Sequence, residues 1–217
     1  MVYCVAAHAV FQLSLTPFSF SVLINLCFSS KLHFSSTPPY SLLCAQVEIH
    51  SKLRNPHILR VLSYFEDEDK VYLVLEYCEK GELNRFLQRR GYPFTEAEAK
   101  QLIVQIVNGM TYLQKHQILH RDLSLGNMLL TSAMAVKIAD FGLATKLTHA
   151  DEKHLTMCGT PNFISPEIVS QTPHGLAADV WSLGCMIYTL LVGKAPFDTD
   201  DIKSTLKRFL LRRMCKA

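Results

Sequence analysis

Glycine is missing from the first 80 residues of this 217-residue chain, and the first of its nine glycines is Gly81. A loop that wraps backbone N–H groups around phosphates needs residues without a Cβ. No such glycine-rich loop can therefore be built from residues 1–80. Acidic residues are missing from the first 47 positions, where Lys31 is the single Lys or Arg. From Glu48 onward, charges of both signs are frequent and mixed. The seven cysteines include no C-x-x-C pair and no Cys/His cluster at zinc spacing. That excludes a zinc ribbon and points to a reduced, cytosolic protein. A net charge of +3 is too small to argue for a nucleic-acid partner. The opening residues lack the basic start and the small-residue cleavage site of a signal peptide. The apolar stretch at 9–28 is broken by Gln12, Ser14, Thr16, Pro17, Ser19, Ser21 and Asn25, which argues against a membrane span. No internal repeat is present. With 49% hydrophobic and 19% charged residues, the chain has a globular composition.

What is present from Val47 onward reads as alternating short elements. Val47 to Leu53 fits the end of a helix, closed by Asn55-Pro56. His57 to Phe65 and Val71 to Tyr77 are apolar, aromatic and β-branched. The acidic turn Glu66-Asp67-Glu68-Asp69 separates them, so they are expected to form a hairpin. Gly81 to Arg90 is predicted as a short polar helix. Thr95 to His116 carries the strongest helical pattern: Thr95 and Glu98 fit a capping box, and Leu102, Ile103, Ile106, Met110 and Leu113 share one face. Leu129-Leu130 and Val136-Lys137-Ile138 flank a turn and predict a second hairpin. Ala178 to Val192 is apolar nearly throughout and reads as a buried core helix. Strands followed by helices give an α+β architecture.

Between these elements lies the segment His120-Arg121-Asp122-Leu123-Ser124-Leu125-Gly126-Asn127, with Asp140-Phe141-Gly142 thirteen positions beyond Asn127. The pair matches H-R-D-x-x-x-x-N and D-F-G, fixed residue types at fixed separations. The residue types suit phosphoryl transfer, which needs positioning and charge neutralisation more than covalent work. A carboxylate at Asp122 can accept the proton of a substrate hydroxyl. Asn127 and Asp140 offer the hard oxygens that Mg²⁺ prefers. Two further segments agree. Gly159-Thr160-Pro161-Asn162-Phe163-Ile164-Ser165-Pro166-Glu167 matches G-T-x-x-[YF]-x-A-P-E with Ser in place of Ala. Asp179-Val180-Trp181-Ser182-Leu183-Gly184 matches D-x-W-S-x-G.

On these motifs the chain resembles the eukaryotic protein kinases from about Val47 to Leu206. Thr160 resembles the Ser/Thr rather than the tyrosine branch. The wording of Val71-Tyr72-Leu73-Val74-Leu75-Glu76, Ile138-Ala139-Asp140-Phe141-Gly142-Leu143-Ala144-Thr145 and Leu155-Thr156-Met157-Cys158-Gly159-Thr160 is similar to the polo-like kinases. The resemblance implies ATP and Mg²⁺ as cofactors, protein Ser/Thr hydroxyls as substrates, and a cytoplasmic or centrosomal address. It implies Asp122 as base, with Asn127 and Asp140 as metal ligands. Arg121 would hold a phosphorylated activation segment, with Thr156 at the phosphosite. Glu76, Cys78 and Leu129 would surround the adenine, and Leu75 would guard its inner end. Phe141, Gly142, Glu167 and Asp179 would have structural roles, Asp179 by holding the catalytic loop through hydrogen bonds. His120 is expected to be a packed core histidine.

Three linked parts of the family pattern have no match. There is no glycine-rich loop, and Lys31, in Ser29-Ser30-Lys31-Leu32, does not fit the context of the phosphate-gripping lysine. The helix glutamate that partners that lysine would lie ten residues before Pro56, where Gln46 stands. Glu48 is about 200° further round the helix and faces elsewhere. Three segments are therefore expected: a non-homologous, apolar and Ser-rich extension at 1–46 that is poorly ordered, a partial kinase domain at 47–206 with an incomplete upper sheet, and a basic tail at 207–217. The arginine that normally pairs with the glutamate at position 167 has no counterpart here. An alternative function follows from the missing parts, namely a catalytically impaired fragment acting as an interaction module.

Overall fold

A computed structural model describes residues 10–13, 21–26, 47–66, 71–149, 152–199 and 201–211. Lys31 and Gln46 lie outside these residues. The chain starts with strands β1 (Val10–Leu13) and β2 (Ser21–Leu26). A helical stretch, α1 (residues 47–52), precedes β3 (Val61–Glu66) and β4 (Val71–Glu76). Then come β5 (Gly81–Glu82), α2 (Leu83–Arg90) and α3 (Glu96–Lys115). The site region holds β6 (Ile118–Leu119), a 3₁₀ turn (Leu125–Asn127), β7 (Met128–Leu130), β8 (Val136–Ile138) and β9 (Thr145–Lys146). Helices α4 (Pro166–Val169), α5 (Ala177–Val192) and α6 (Ile202–Leu211) complete the order.

The expected hairpin forms. β3 and β4 pair antiparallel, with an irregularity between Val61 and Ser63. The strand begins at Val61, not at His57, because Asn55 turns the chain first: its side-chain oxygen accepts from the His57 N–H at 2.8 Å and its carbonyl from the Ile58 N–H at 3.2 Å. Ile58 then bridges to Ile138. β2 lies on the other side of β4, with Ser21 opposite Glu76 and Leu26 opposite Val71, and β1 pairs with β2. The sheet therefore has the order β1-β2-β4-β3 and draws two of its strands from the first 46 residues.

Below it, α3 and α5 form the centre of the helical part. Thr95 caps α3: its hydroxyl accepts from the Glu98 N–H, and Glu98 reaches back to the Thr95 N–H at 2.8 Å. Leu102, Ile106 and Leu113 are buried against Met186 and Leu190 of α5. Gly81-Glu82 departs from the helical prediction, because its backbone pairs with Leu129-Leu130 of β7 and α2 starts only at Leu83. β5, β7 and β8 make a three-stranded sheet under the upper one. Gly109 lets α3 press onto that sheet, since a Cβ there would lie 2.7 Å from Ile138 Cδ1 and 3.2 Å from the His57 carbonyl oxygen. Between the two sheets, Val47, Leu59, Val61, Leu73, Leu75, Cys78 and Ala139 form a separate apolar cluster, with Leu129 packed against it. No helix among the described residues is long and apolar enough to cross a membrane.

Candidate active site

The site is built on the connections of the small strands. β6 pairs with β9 and delivers His120 and Arg121 to the top of α5. There Asp179, in the first turn of α5 and 7% exposed, accepts the backbone N–H of His120 at 2.8 Å and of Arg121 at 2.9 Å. Arg121 is held at φ 68 and Asp140 at φ 59, left-handed conformations that are strained for residues with a Cβ. The Arg121 Nε–H donates to the Leu143 carbonyl at 2.6 Å. Among the described residues, no carboxylate pairs with its guanidinium.

Asp122 is 8% exposed and accepts three hydrogen bonds, from two donor groups, on its side chain and its carbonyl. The Thr160 hydroxyl donates to Oδ1 at 2.6 Å, while Asn127 Nδ2 donates to Oδ2 at 3.1 Å and to the Asp122 carbonyl at 2.8 Å. Burial pushes the Asp122 carboxyl above the usual carboxylate range, and the nearby Asp140 charge adds to this. Thr160, His120 and Asn127 pull the other way. With its amide nitrogen turned to Asp122, Asn127 is left with its side-chain oxygen unpartnered among the described residues. The Asn127 carbonyl accepts the Ala139 N–H at 2.8 Å, which ties the loop to the strand leading into Asp140. Asp140 is exposed; Oδ1 accepts the Gly142 N–H at 3.1 Å, and its second oxygen is open.

These oxygens fit Mg²⁺. Among the described residues no three His, Cys, Asp or Glu side chains converge on a metal position. Mg²⁺ does not require such a cage, since it keeps waters and binds through one or two protein oxygens plus phosphates. Asn127 Oδ1 and the free oxygen of Asp140 are donors of that kind.

Phe141 is fully buried between two histidines. Its ring centroid lies 5.0 Å from that of His120, edge-on, and 4.4 Å from that of His50 on α1. His50 Nε2 is 2.7 Å from the Leu59 carbonyl, and burial depresses the His50 pKa to about 4. His120 is fully buried, as a core histidine should be.

A cavity of about 710 Å³ opens between the two sheets, within the range of small-molecule sites. Leu59, Leu75, Cys78 and Leu129 give it apolar walls, and Glu76, Glu82 and Arg85 line its polar side. Glu76 accepts the Arg60 N–H at 2.7 Å and pairs with Lys137 at 3.0 Å. Its own N–H donates to the Arg60 carbonyl at 3.0 Å. Cys78 has no backbone N–H partner among the described residues, and burial pushes its thiol up to about 12. Thr156 is exposed on the activation segment. Glu167 is half-buried in the first turn of α4, so it is less desolvated than a buried unpaired carboxylate. Glu48 is exposed and pairs with Lys52 at 2.6 Å, away from the site.

The structure thus brings Arg121, Asp122, Asn127, Asp140 and Asp179 together and places Glu76, Cys78 and Leu129 on the neighbouring cavity. Thr156 and Glu167 lie apart from these carboxylates in the sequence of elements, on the segment that supplies Thr160. Two residues escaped the sequence reading: Thr160 as a donor to Asp122, and His50 as a packing partner of Phe141. An inward-facing histidine one turn after Val47 was the available signal for His50.

The family model for the protein kinase domain matches residues 33–216. The chain belongs to the protein kinase domain family. The kinase match begins upstream of Val47 and extends past Leu206. Among curated proteins, the chain is 60% identical to serine/threonine-protein kinase PLK4 of Xenopus tropicalis over 166 residues, covering 76% of this chain and 18% of the relative. It is 58% identical to the protein of that name from Nematostella vectensis over 169 residues, covering 78% and 17%. For the Drosophila melanogaster protein the values are 57% over 166 residues, with 76% and 22% covered. The chain thus spans about a fifth of the length of these curated relatives.

Proposed function

We propose that the chain carries the phosphoryl-transfer site of a polo-like protein Ser/Thr kinase that uses ATP and Mg²⁺. The observation that carries this reading is the convergence of Asp122, Asn127 and Asp140 beside the apolar cavity. Adenine fits between Leu59 and Leu129, with the unpartnered Cys78 N–H and the Glu76 carbonyl as its polar contacts. Bound Mg²⁺ would neutralise charge on the transferring phosphates. Asp122 would accept the proton from a substrate Ser or Thr hydroxyl. Its raised pKa makes it a stronger base, and Thr160 and Asn127 fix the direction of its lone pairs. Asp179 would act as a positioning residue, setting the strained turn at Arg121. Arg121, without a carboxylate partner, would receive a phosphate on Thr156, which supplies roughly −1.5 to −2 charges. A cytosolic or centrosomal address and protein substrates follow from the same family reading. Residues 1–46 offer no glycine-rich loop and no lysine in the expected context, and the part before residue 33, which the kinase match leaves out, is proposed to be unrelated to a kinase upper lobe.

Without glycines above the phosphates, the turnover of this chain is expected to be low. The test is phosphate transfer from labelled Mg-ATP to a generic Ser/Thr substrate by the wild-type chain, Asp122→Asn and Asp140→Asn. Slow transfer lost in both variants supports the reading. Transfer that persists in Asp122→Asn at the wild-type rate would refute the assigned base.

A further inference from the structure

The activation segment touches the body of the domain at a point that the phosphoryl-transfer site does not use. His154 and His174 exchange both backbone hydrogen bonds, at 2.9 and 3.0 Å, as an isolated antiparallel bridge. Their rings lie side by side with centroids 6.4 Å apart. His174 is 2% exposed, and neither ring nitrogen has a hydrogen-bond partner. The Thr172 backbone lies close to that ring but outside hydrogen-bonding geometry. His154 Nε2 is also buried without a hydrogen bond, 3.5 Å from Glu152 Oε1. Next to the bridge, Gly175 leaves room for the segment: a Cβ there would meet Lys153 Nζ at 3.3 Å and the Glu152 carbonyl oxygen at 3.4 Å.

We propose that this contact is a pH-sensitive clasp: neutral His174 lets residues 152–154 of the activation segment seat against residues 172–175, and protonation of His174 releases them. The charged and titratable groups around His174 are Arg121 of the catalytic loop, Glu167 of α4, and His154, with Glu152 and Lys153 flanking the bridge. An imidazolium there would be buried without an acceptor and would face the Arg121 guanidinium. Burial is the largest influence holding the His174 pKa below its ordinary value. Arg121 and His154 act in the same direction, and Thr172 and Glu167 oppose them. The sign follows from that direction. With the clasp open, His174 titrates near the free value of about 6.5. With it closed, the ring stays neutral to lower pH. Closure is therefore complete above about pH 6.5 and weakens by up to tenfold per pH unit below it, until the clasped ring itself is protonated. If the proposed kinase function holds, release would also loosen Thr160 from Asp122, and acidification would reversibly lower transfer.

Hydrogen exchange on the full chain tests the clasp without reference to turnover. The amides of His154 and His174 are followed from pH 7.5 to 5.5, corrected for intrinsic exchange, against α3 amides that report global opening. The expected result is a progressive relative loss of protection, of up to about fivefold between pH 6.5 and 5.5. His174→Phe and His174→Gln, which cannot titrate, should hold constant relative protection over that range; α3 protection shows whether each variant is folded. Flat relative protection in the wild type would overturn the proposal. So would variants at position 174 as pH-sensitive as the wild type. An inactive chain with a pH-dependent clasp and an active chain without one are told apart, because exchange reads the contact alone.

Discussion

Replacing Asp179 with alanine removes the acceptor of two backbone N–H groups in the catalytic loop, at 2.8 and 2.9 Å. A hydrogen bond to a charged group contributes roughly 1.5–3 kcal/mol, so the two together contribute roughly 3–6. Two effects reduce the net loss. Removing a buried carboxylate also removes its desolvation penalty. The loop can then relax, giving back some of the roughly 1–3 kcal/mol of strain stored at Arg121, whose φ is 68. The expected cost of Asp179→Ala is about 2–4 kcal/mol. Asp179→Asn keeps one acceptor but turns an N–H group toward a donor, and should cost about 1–3 kcal/mol. Urea unfolding followed by the fluorescence of Trp181, the single tryptophan, measures the loss. Hydrogen exchange at His120 and Arg121 localises it. If Asp179→Ala unfolds within about 0.5 kcal/mol of the wild type, a surface-like effect, and both amides stay protected, the carboxylate does not hold the loop.

Other residues give further expectations. The folded His50 pKa of about 4, against an ordinary value of 6.5, means that stability present above pH 6.5 is lost as pH falls toward 4. The loss amounts to roughly 3 kcal/mol. His50→Leu should flatten that limb of a pH-dependent urea series while costing some stability at pH 7.5 through the orphaned Leu59 carbonyl. Gly109→Ala sets a better helix former, worth about 1 kcal/mol, against overpacking of roughly 1–3 kcal/mol. A net destabilisation of about 0–2 kcal/mol by thermal unfolding is expected, with the chain shifting where α3 meets β8. Thr95→Ala should cost about 1 kcal/mol by removing the α3 cap. Hydrogen bonds from Thr95 and Arg90 hold the Glu98 pKa down to about 2, so its stabilising effect is present above its ordinary value of 4.5 and fades as pH falls toward 2. Glu98→Gln should remove that acid dependence.

What the sequence disclosed depended on the range of each interaction. The α3 cap was legible because Thr95 and Glu98 are three residues apart and satisfy each other locally. The apolar run of α5, the β3–β4 hairpin and the catalytic motifs were legible for the same reason. Gly81-Glu82 was misread as helical because its strand character comes from pairing with Leu129-Leu130, a partner outside any local window. Thr160 stood out only as a family marker; its bond to Asp122 spans 38 residues. The spacing of His50 from Val47 marks an inward face, but Phe141, its partner, lies 91 residues away and outside any local window. The His154–His174 bridge could not be read at all, since neither residue belongs to a periodic element. The first 46 residues gave no strand pattern of their own, yet β2 pairs along the whole of β4.

The most direct test of the site is Mg²⁺-dependent nucleotide binding by titration calorimetry, with the wild-type chain and Asp140→Asn side by side. The site described here predicts ATP binding that strengthens with Mg²⁺ in the wild type, and loss of that metal dependence in Asp140→Asn. Equal strengthening by Mg²⁺ in both proteins would contradict the assignment of Asp140, with Asn127, as the metal-holding pair.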